Sequence, residues 1–332
     1  MVNMMRTWAS VVAFTTLSLT AGGAESKVSP LDLTGYADEH GAISVQYRGD
    51  TIDPYFALQA VLLAKDNGLD ISRYALSLGN WMLRRQKPDA TFDRFCRNGP
   101  VWAACKTADA DDAILALWLR FLKAMPQEMA RNPAWAKSYQ RSLESLSRLL
   151  DPTRGVYFVS PVYQHGLFMD NMEVLSMRRE LGRMQPGIQM PTSEMLARNI
   201  ERIFRDGKTG NYWVSTQPEQ KFVPAAFYPD HVAQVYPLIM GIKLPGHSLA
   251  NDYRMWMQTH RKTWLAQSRT DFSWGLIAVM ALRNNDRASA RCWLRETAQA
   301  QRTAHWIVTD EVARQILVGQ GVEAADDAAS CV

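Results

Sequence analysis

Asp109-Ala110-Asp111-Asp112-Ala113-Ile114-Leu115-Ala116-Leu117-Trp118-Leu119-Arg120-Phe121-Leu122 sets three carboxylates within four positions, directly before a run that is apolar except for one arginine. A helix apolar on every side belongs inside a bundle. Adjacent carboxylates repel and lose solvation beside a core, so a fold bears such a cluster most easily where a helix start opens onto solvent or a ligand. Asp at a helix start also caps free N–H groups and meets the positive end of the macrodipole. Capping accounts for one or two of the three. The surplus makes this a candidate site, with Asp111 foremost and Asp109 and Asp112 beside it.

Residues 56–64 and 272–282 are similarly apolar, whereas residues 134–150 and 193–206 carry a clean stripe opposite charged positions. Trp135, Tyr139, Leu143, Leu146 and Leu150, for example, oppose Lys137, Arg141, Glu144 and Arg148. The spacing predicts helices over 53–66, 71–86, 109–124, 134–150, 170–182, 193–206, 230–241, 251–267, 272–284, 287–300 and 309–318, and no strand. Buried and amphipathic helices alternate along the chain. The simplest architecture is all-α, a double ring of helical hairpins spanning residues 25–318 with a flexible tail over 319–332. A helical solenoid is the competitor, but no fixed repeat period is present. The longest connections, 87–108, 151–169 and 207–229, precede inner helices, where a scaffold commonly builds a site.

Each inner helix starts with acid: Asp53, the Asp109–Asp112 cluster, Asp170 with Glu173 at i, i+3, Asp230 beside His231, and Asp271. In a ring of hairpins the inner helices run in one direction, so these carboxylates are expected at one mouth. The connections add aromatics, among them Trp102, Tyr163, Trp213 and Tyr228, and Trp274 follows Asp271. Sugar rings pack C–H faces on aromatics and offer hydroxyls to carboxylates, so the expected ligand is a polysaccharide. Ordinary capping by the acids and loop anchoring by the aromatics is the plainer explanation at any single position.

Other chemistries find no support. The chain has no phosphate-binding glycine loop, His-Glu-x-x-His, Cys-x-x-Cys or Gly-x-Ser-x-Gly motif. Its six histidines lack metal-ligand spacing, and neither metal nor cofactor is expected. His231 near Tyr228 leaves a polysaccharide lyase open as an alternative, through proton abstraction beside a uronate. The net charge of +4 is scattered, with no basic, aromatic-interleaved stripe for nucleic acid. Residues 1–24 read as a secretory signal: a basic start to Arg6, an apolar run from Thr7 to Leu19, then Gly22-Gly23-Ala24. A retained N-terminal anchor is the alternative; no later segment reads as a membrane span. The expected location is periplasmic or secreted. Four cysteines in an exported chain permit disulfides. Cys96 with Cys105 is the preferred pair, leaving Cys292 with Cys331.

The segment Ala108-Asp109-Ala110-Asp111-Asp112, followed by Ile114 to Leu119, resembles the Ala-Ser-Asp-Ala-Asp-Leu segment of family-8 glycoside hydrolases. These are six-hairpin (α/α)6 toroids that include endoglucanases of bacterial cellulose-secretion systems. Tyr228-Pro229 and Asp271-Phe272-Ser273-Trp274, each before a helix, continue the likeness. In that family an Asp of the first segment lies in the substrate cleft, a role that the resemblance passes to Asp109 or Asp111. The likeness departs at the first inner helix, which the family opens with Ser-Glu-Gly-Gln and an aromatic, the Glu being the general acid. Here Thr51-Ile52-Asp53-Pro54-Tyr55 puts Thr51 at that position and Asp53 two residues away. The expectation is therefore a two-carboxylate glycoside hydrolase acting on a bacterial exopolysaccharide or β-glucan. Asp53 is the candidate acid, Asp170 or Glu173 the candidate base, and Asp111 a positioning or catalytic group. An inverting mechanism needs the two carboxylates roughly 6.5–9.5 Å apart. The rival is a toroid that has lost its acid and serves as a glycan-binding or assembly component of an exopolysaccharide secretion machinery.

Overall fold

In the computed structural model, residues 29–182, 188–218, 226–327 and Cys331 are described; the expected signal segment lies outside them. The apolar run forms helix α3 (Asp111–Lys123), on which every side chain from Asp112 to Leu122 is buried. Five further helices share its near-complete burial: α1 (Pro54–Asp66), α6 (Phe168–Leu181), α8 (Val232–Ile239), α10 (Gly275–Arg283) and α12 (Val308–Gly319). They pack in the order α1, α3, α6, α8, α10, α12, and α12 packs back on α1. The inner ring closes.

Amphipathic helices stand outside it: α2 (Ser72–Leu83) on α1, α5 (Pro133–Arg148) on α3, α7 (Ser193–Phe204) on α6, α9 (Leu249–Ala266) on α8 and α11 (Arg287–Glu296) on α10. A short helix, α4 (Pro126–Arg131), lies between α3 and α5. Tryptophans lock the two layers. Trp118 of α3 stacks on Phe121, reaches Trp135 of α5 at 6.3 Å, and donates its Nε1 hydrogen to Ser138 Oγ at 2.9 Å. Among the described residues no outer helix backs α12. Residues 29–50 take that place, with Asp32 and Gln315 exchanging hydrogen bonds and the Val308 N–H donating to the Val45 carbonyl at 2.8 Å.

The expectation of no strand is corrected. Part of the connection 87–108 is a hairpin of β2 (Asp93–Asn98) and β3 (Val101–Thr107), and β1 (Thr51–Ile52) adds an antiparallel third strand beside β2. The turn passes through Gly99 at φ +59°, a left-handed conformation that glycine adopts without steric cost. Alternation is missing because β3 is largely exposed on both faces, so no buried row marked it. A Cys96–Cys105 disulfide ties the two strands, and Cys292–Cys331 ties the C-terminal segment to α11. Where it is described, the expected tail lies along α11, with Arg295 Nη1 donating to the carbonyls of Ala325 and Asp326.

At Gly275, α10 packs directly against α12. A Cβ on Gly275 would stand 2.6 Å from Ala313 Cβ and 3.1 Å from Asp310 Cα, and backbone cannot yield as a side-chain tip does. Gly275→Ala is expected to destabilise the fold by about 1–3 kcal/mol through overpacking, measured as a lowered midpoint in denaturant unfolding at unchanged m-value.

Candidate active site

Because the inner helices run in one direction, the first turns of α1, α3, α6, α10 and α12, with Tyr228 ahead of α8 and Tyr236 within it, line a single cleft of about 570 Å³. Asp53 caps α1, its Oδ1 accepting from the Tyr55 N–H at 3.0 Å. Its other oxygen accepts from Arg94 Nε at 2.7 Å, and Arg94 Nη2 also donates to Asp109. Burial raises the Asp53 carboxyl above its ordinary value, and the Arg94 guanidinium offsets part of that rise.

Among the described residues, the α3–α6 side of the cleft has no such cation. Asp170 lines the cleft, and its Oδ2 is buried with no partner. Desolvation, with Asp109 adding repulsion, raises its carboxyl to about 7. Asp112 is fully buried behind it, one oxygen unpartnered, and is held well above the usual carboxylate range by burial and by Asp170. Glu173 lies one turn deeper than Asp170. Its Oε1 accepts from the Tyr55 hydroxyl at 2.5 Å and from the Tyr236 hydroxyl, its Oε2 has no partner, and burial raises it to about 8. Three buried carboxylates with no counter-ion among the described residues cannot all be ionised in a medium of low dielectric. The cluster therefore holds protons at neutral pH.

The opposite wall is aromatic. Trp274 sits in the left-handed region at φ +53° immediately before α10, a conformation uncommon for a bulky residue. Its ring stacks on Tyr228 at 5.3 Å, and its Nε1–H is buried in the cleft wall without an acceptor. Tyr163, 62% exposed, lines the rim.

Of the candidates, Asp53, Asp109, Asp170, Asp271, Tyr163, Tyr228 and Trp274 thus meet in the cleft. The others do not line it. Asp111 lies among Lys87, Asp89 and Asp93, where burial raises it to about 6; helical rotation gives the cleft face to Ala110, Ala113 and Ile114. The same rotation buries Asp112, and the extra turn buries Glu173. Trp102 packs under Arg97 and donates to Asp38. The Trp213 N–H pairs with the Phe204 carbonyl in the connection after α7. Asp230 accepts from the Ala226 N–H, and the His231 ring packs on His260 at 4.2 Å. Arg94, Tyr236, His165 and Asp310 line the cleft without having been marked. Asp310 accepts from the N–H groups of Gly275 and Ile307, joining the starts of α10 and α12. Its position at the third residue of a helix preceded by an apolar residue was the available signal.

No family model and no curated protein sequence matches the chain. Solved structures do match. A novel alpha-amylase from Clostridium perfringens superposes with a TM-score of 0.59 at 8% identity, over 86% of this chain and 94% of that one. A GH8 endo-beta-1,4-glucanase from an Achatina fulica gut metagenomic library superposes with a TM-score of 0.51 at 15% identity, over the same shares. The fold is the (α/α)6 toroid. The expected resemblance to the family-8 glycoside hydrolases thus holds at the level of fold.

Asp170 offers a test that needs no substrate. The folded protein keeps its proton up to about pH 7, whereas the unfolded chain loses it near pH 4. Stability therefore falls as pH rises between these values. Asp170→Asn removes that dependence. The variant is expected to be more stable than the wild type at pH 7, on the order of 2 kcal/mol, with the difference closing below pH 4 in urea titrations.

Proposed function

We propose that the protein is an exported glycoside hydrolase that cleaves a polysaccharide, with Asp170 as general acid and Asp53 as general base. One observation carries the reading: in a single cleft, an unpaired carboxyl that keeps its proton to about pH 7 accompanies a carboxylate paired with an arginine. Environments that push two carboxyl groups apart assign the acid and the base. Asp170 gives its proton to the glycosidic oxygen as the C–O bond breaks. A water attacks the anomeric carbon and yields its proton to Asp53. These roles reverse the ones that the sequence suggests, because Arg94 stabilises the ionised form of Asp53 and, among the described residues, nothing comparable stands beside Asp170.

Aromatic surface supports a sugar ligand. The Tyr228–Trp274 pair presents a flat face, and the free Trp274 Nε1–H is a donor for a ring hydroxyl. The two solved neighbours are named for hydrolysis of α- and β-linked glucans, so the fold is compatible with either linkage. The proposed substrate is a bacterial exopolysaccharide or β-glucan. Export is supported by the two disulfides and by the absence, among the described residues, of any helix long and apolar enough to cross a membrane. One observation favours the rival, a non-catalytic glycan-binding component of a secretion machinery. Thr51, at the position of the family's acid, lies in strand β1 with its hydroxyl on Asp50.

Chromatography of products released from a panel of glucans and exopolysaccharides tests the reading. The wild type is expected to release oligosaccharides, with activity falling as pH rises through about 7. Asp170→Asn is expected to lower kcat about 10²–10⁴-fold with glycan binding retained. Binding without products from the wild type would establish the rival.

A further inference from the structure

The hairpin that the sequence did not reveal delivers a charge to the cleft. Strand β1 pairs antiparallel with β2 through Thr51 with Cys96 and Ile52 with Phe95. Just past the end of β1, the Asp53 carboxylate meets the Arg94 guanidinium of β2. On the other edge of β2, Arg94 is in register with Lys106 of β3, and Asp109 follows two residues after the end of that strand. The centre strand therefore stands between the two carboxylates. An irregularity in register falls between Arg94 and Phe95, a feature that re-aims side chains beside active sites. Phe95 turns into the core against Trp81, and Arg94 turns into the cleft.

We propose that Arg94 is a positioning residue of the hydrolytic site, bridging Asp53 and Asp109 and holding Asp53 as the carboxylate that receives the proton of the attacking water. The inference rests on the hydrolase reading above. The groups that face Asp53 are few: the Arg94 guanidinium from β2, the Asp109 carboxylate beyond β3 and the Tyr55 N–H from α1. Burial and Asp109 favour the protonated form; Arg94 and the amide favour the ionised one. With Arg94 only 23% exposed and Asp53 almost fully buried, the inner leg of the bridge is shielded from solvent, whereas the Asp109 leg is open. Removing the guanidinium leaves Asp53 buried beside another acid, and an uncompensated buried carboxylate takes up a proton.

Arg94→Met and Arg94→Lys test the inference in the full chain with its disulfides formed. The Asp53 carboxyl is titrated by ¹³C NMR in the ligand-free protein, its signal assigned by its loss in Asp53→Asn, and kcat and KM are followed against pH. Arg94→Met is expected to raise the Asp53 midpoint by about one pH unit or more. The acid limb of kcat should rise by the same amount, with a smaller change in KM. Arg94→Lys is expected to return part of both shifts, which a packing role alone would not do, and it keeps the test open if the methionine variant does not fold. An unmoved Asp53 midpoint, or a moved midpoint with an unmoved kcat limb, overturns the proposal while leaving the hydrolase reading intact. Failure of the wild type to release products removes that reading and the positioning role with it, whatever the titration shows.

Discussion

The common direction of the six inner helices is the constraint on which the rest depends. It gathers their unsatisfied N–H groups and the positive ends of their dipoles at one mouth, and there the sequence places Asp53, Asp109, Asp170, Asp271 and Asp310. The opposite ends of the ring carry arginines. Arg120, near the end of α3, binds Asp66 at 2.8 Å and Glu180 at 2.7 Å, and Arg283, at the end of α10, donates to the Ile239 carbonyl. Charge is thus sorted along the axis of the toroid. At the acidic mouth, burial outweighs the helix ends, which is why Asp170 and Asp310 are raised rather than lowered.

Within the mouth the two sides are chemically unlike. The hairpin side supplies a guanidinium, which offsets part of the rise that burial imposes on Asp53. On the α3–α6 side burial dominates, so the carboxyls of Asp112, Asp170 and Glu173 are raised. Neither property belongs to aspartate as a residue type. Each follows from which element stands next to it.

The inner helices were legible because burial on all sides leaves long apolar runs, and α3 and α10 stand within a few residues of their expected bounds. The hairpin was not, because β3 has no buried face to impress a period of two on the sequence. Asp53 and Asp170 could be named as acids at helix starts, but their protonation depends on Arg94 of the unseen hairpin in the one case and on depth of burial in the other. Within the acidic cluster a rotation of about 100° per residue decides which side chain faces the cleft. Spacing alone therefore did not separate Asp109 from Asp111. Asp170 and Glu173 share a helix face as expected, yet one turn of depth turns Glu173 from a cleft residue into an anchor for Tyr55 and Tyr236.

The segment before α1 takes the place of an outer helix on α12, and α12 also seals the ring against α1. The first and last parts of the described chain are therefore neighbours in space. A ribosome or a translocation pore delivers α1 early and α12 late, and loop closure over such a separation is slow. Until the final helix emerges, α1 and α10 each lack a wall, and the ring cannot exist in part. The join between the two ends therefore completes the site: the cleft has all its walls only when α12 stands against α1 and α10.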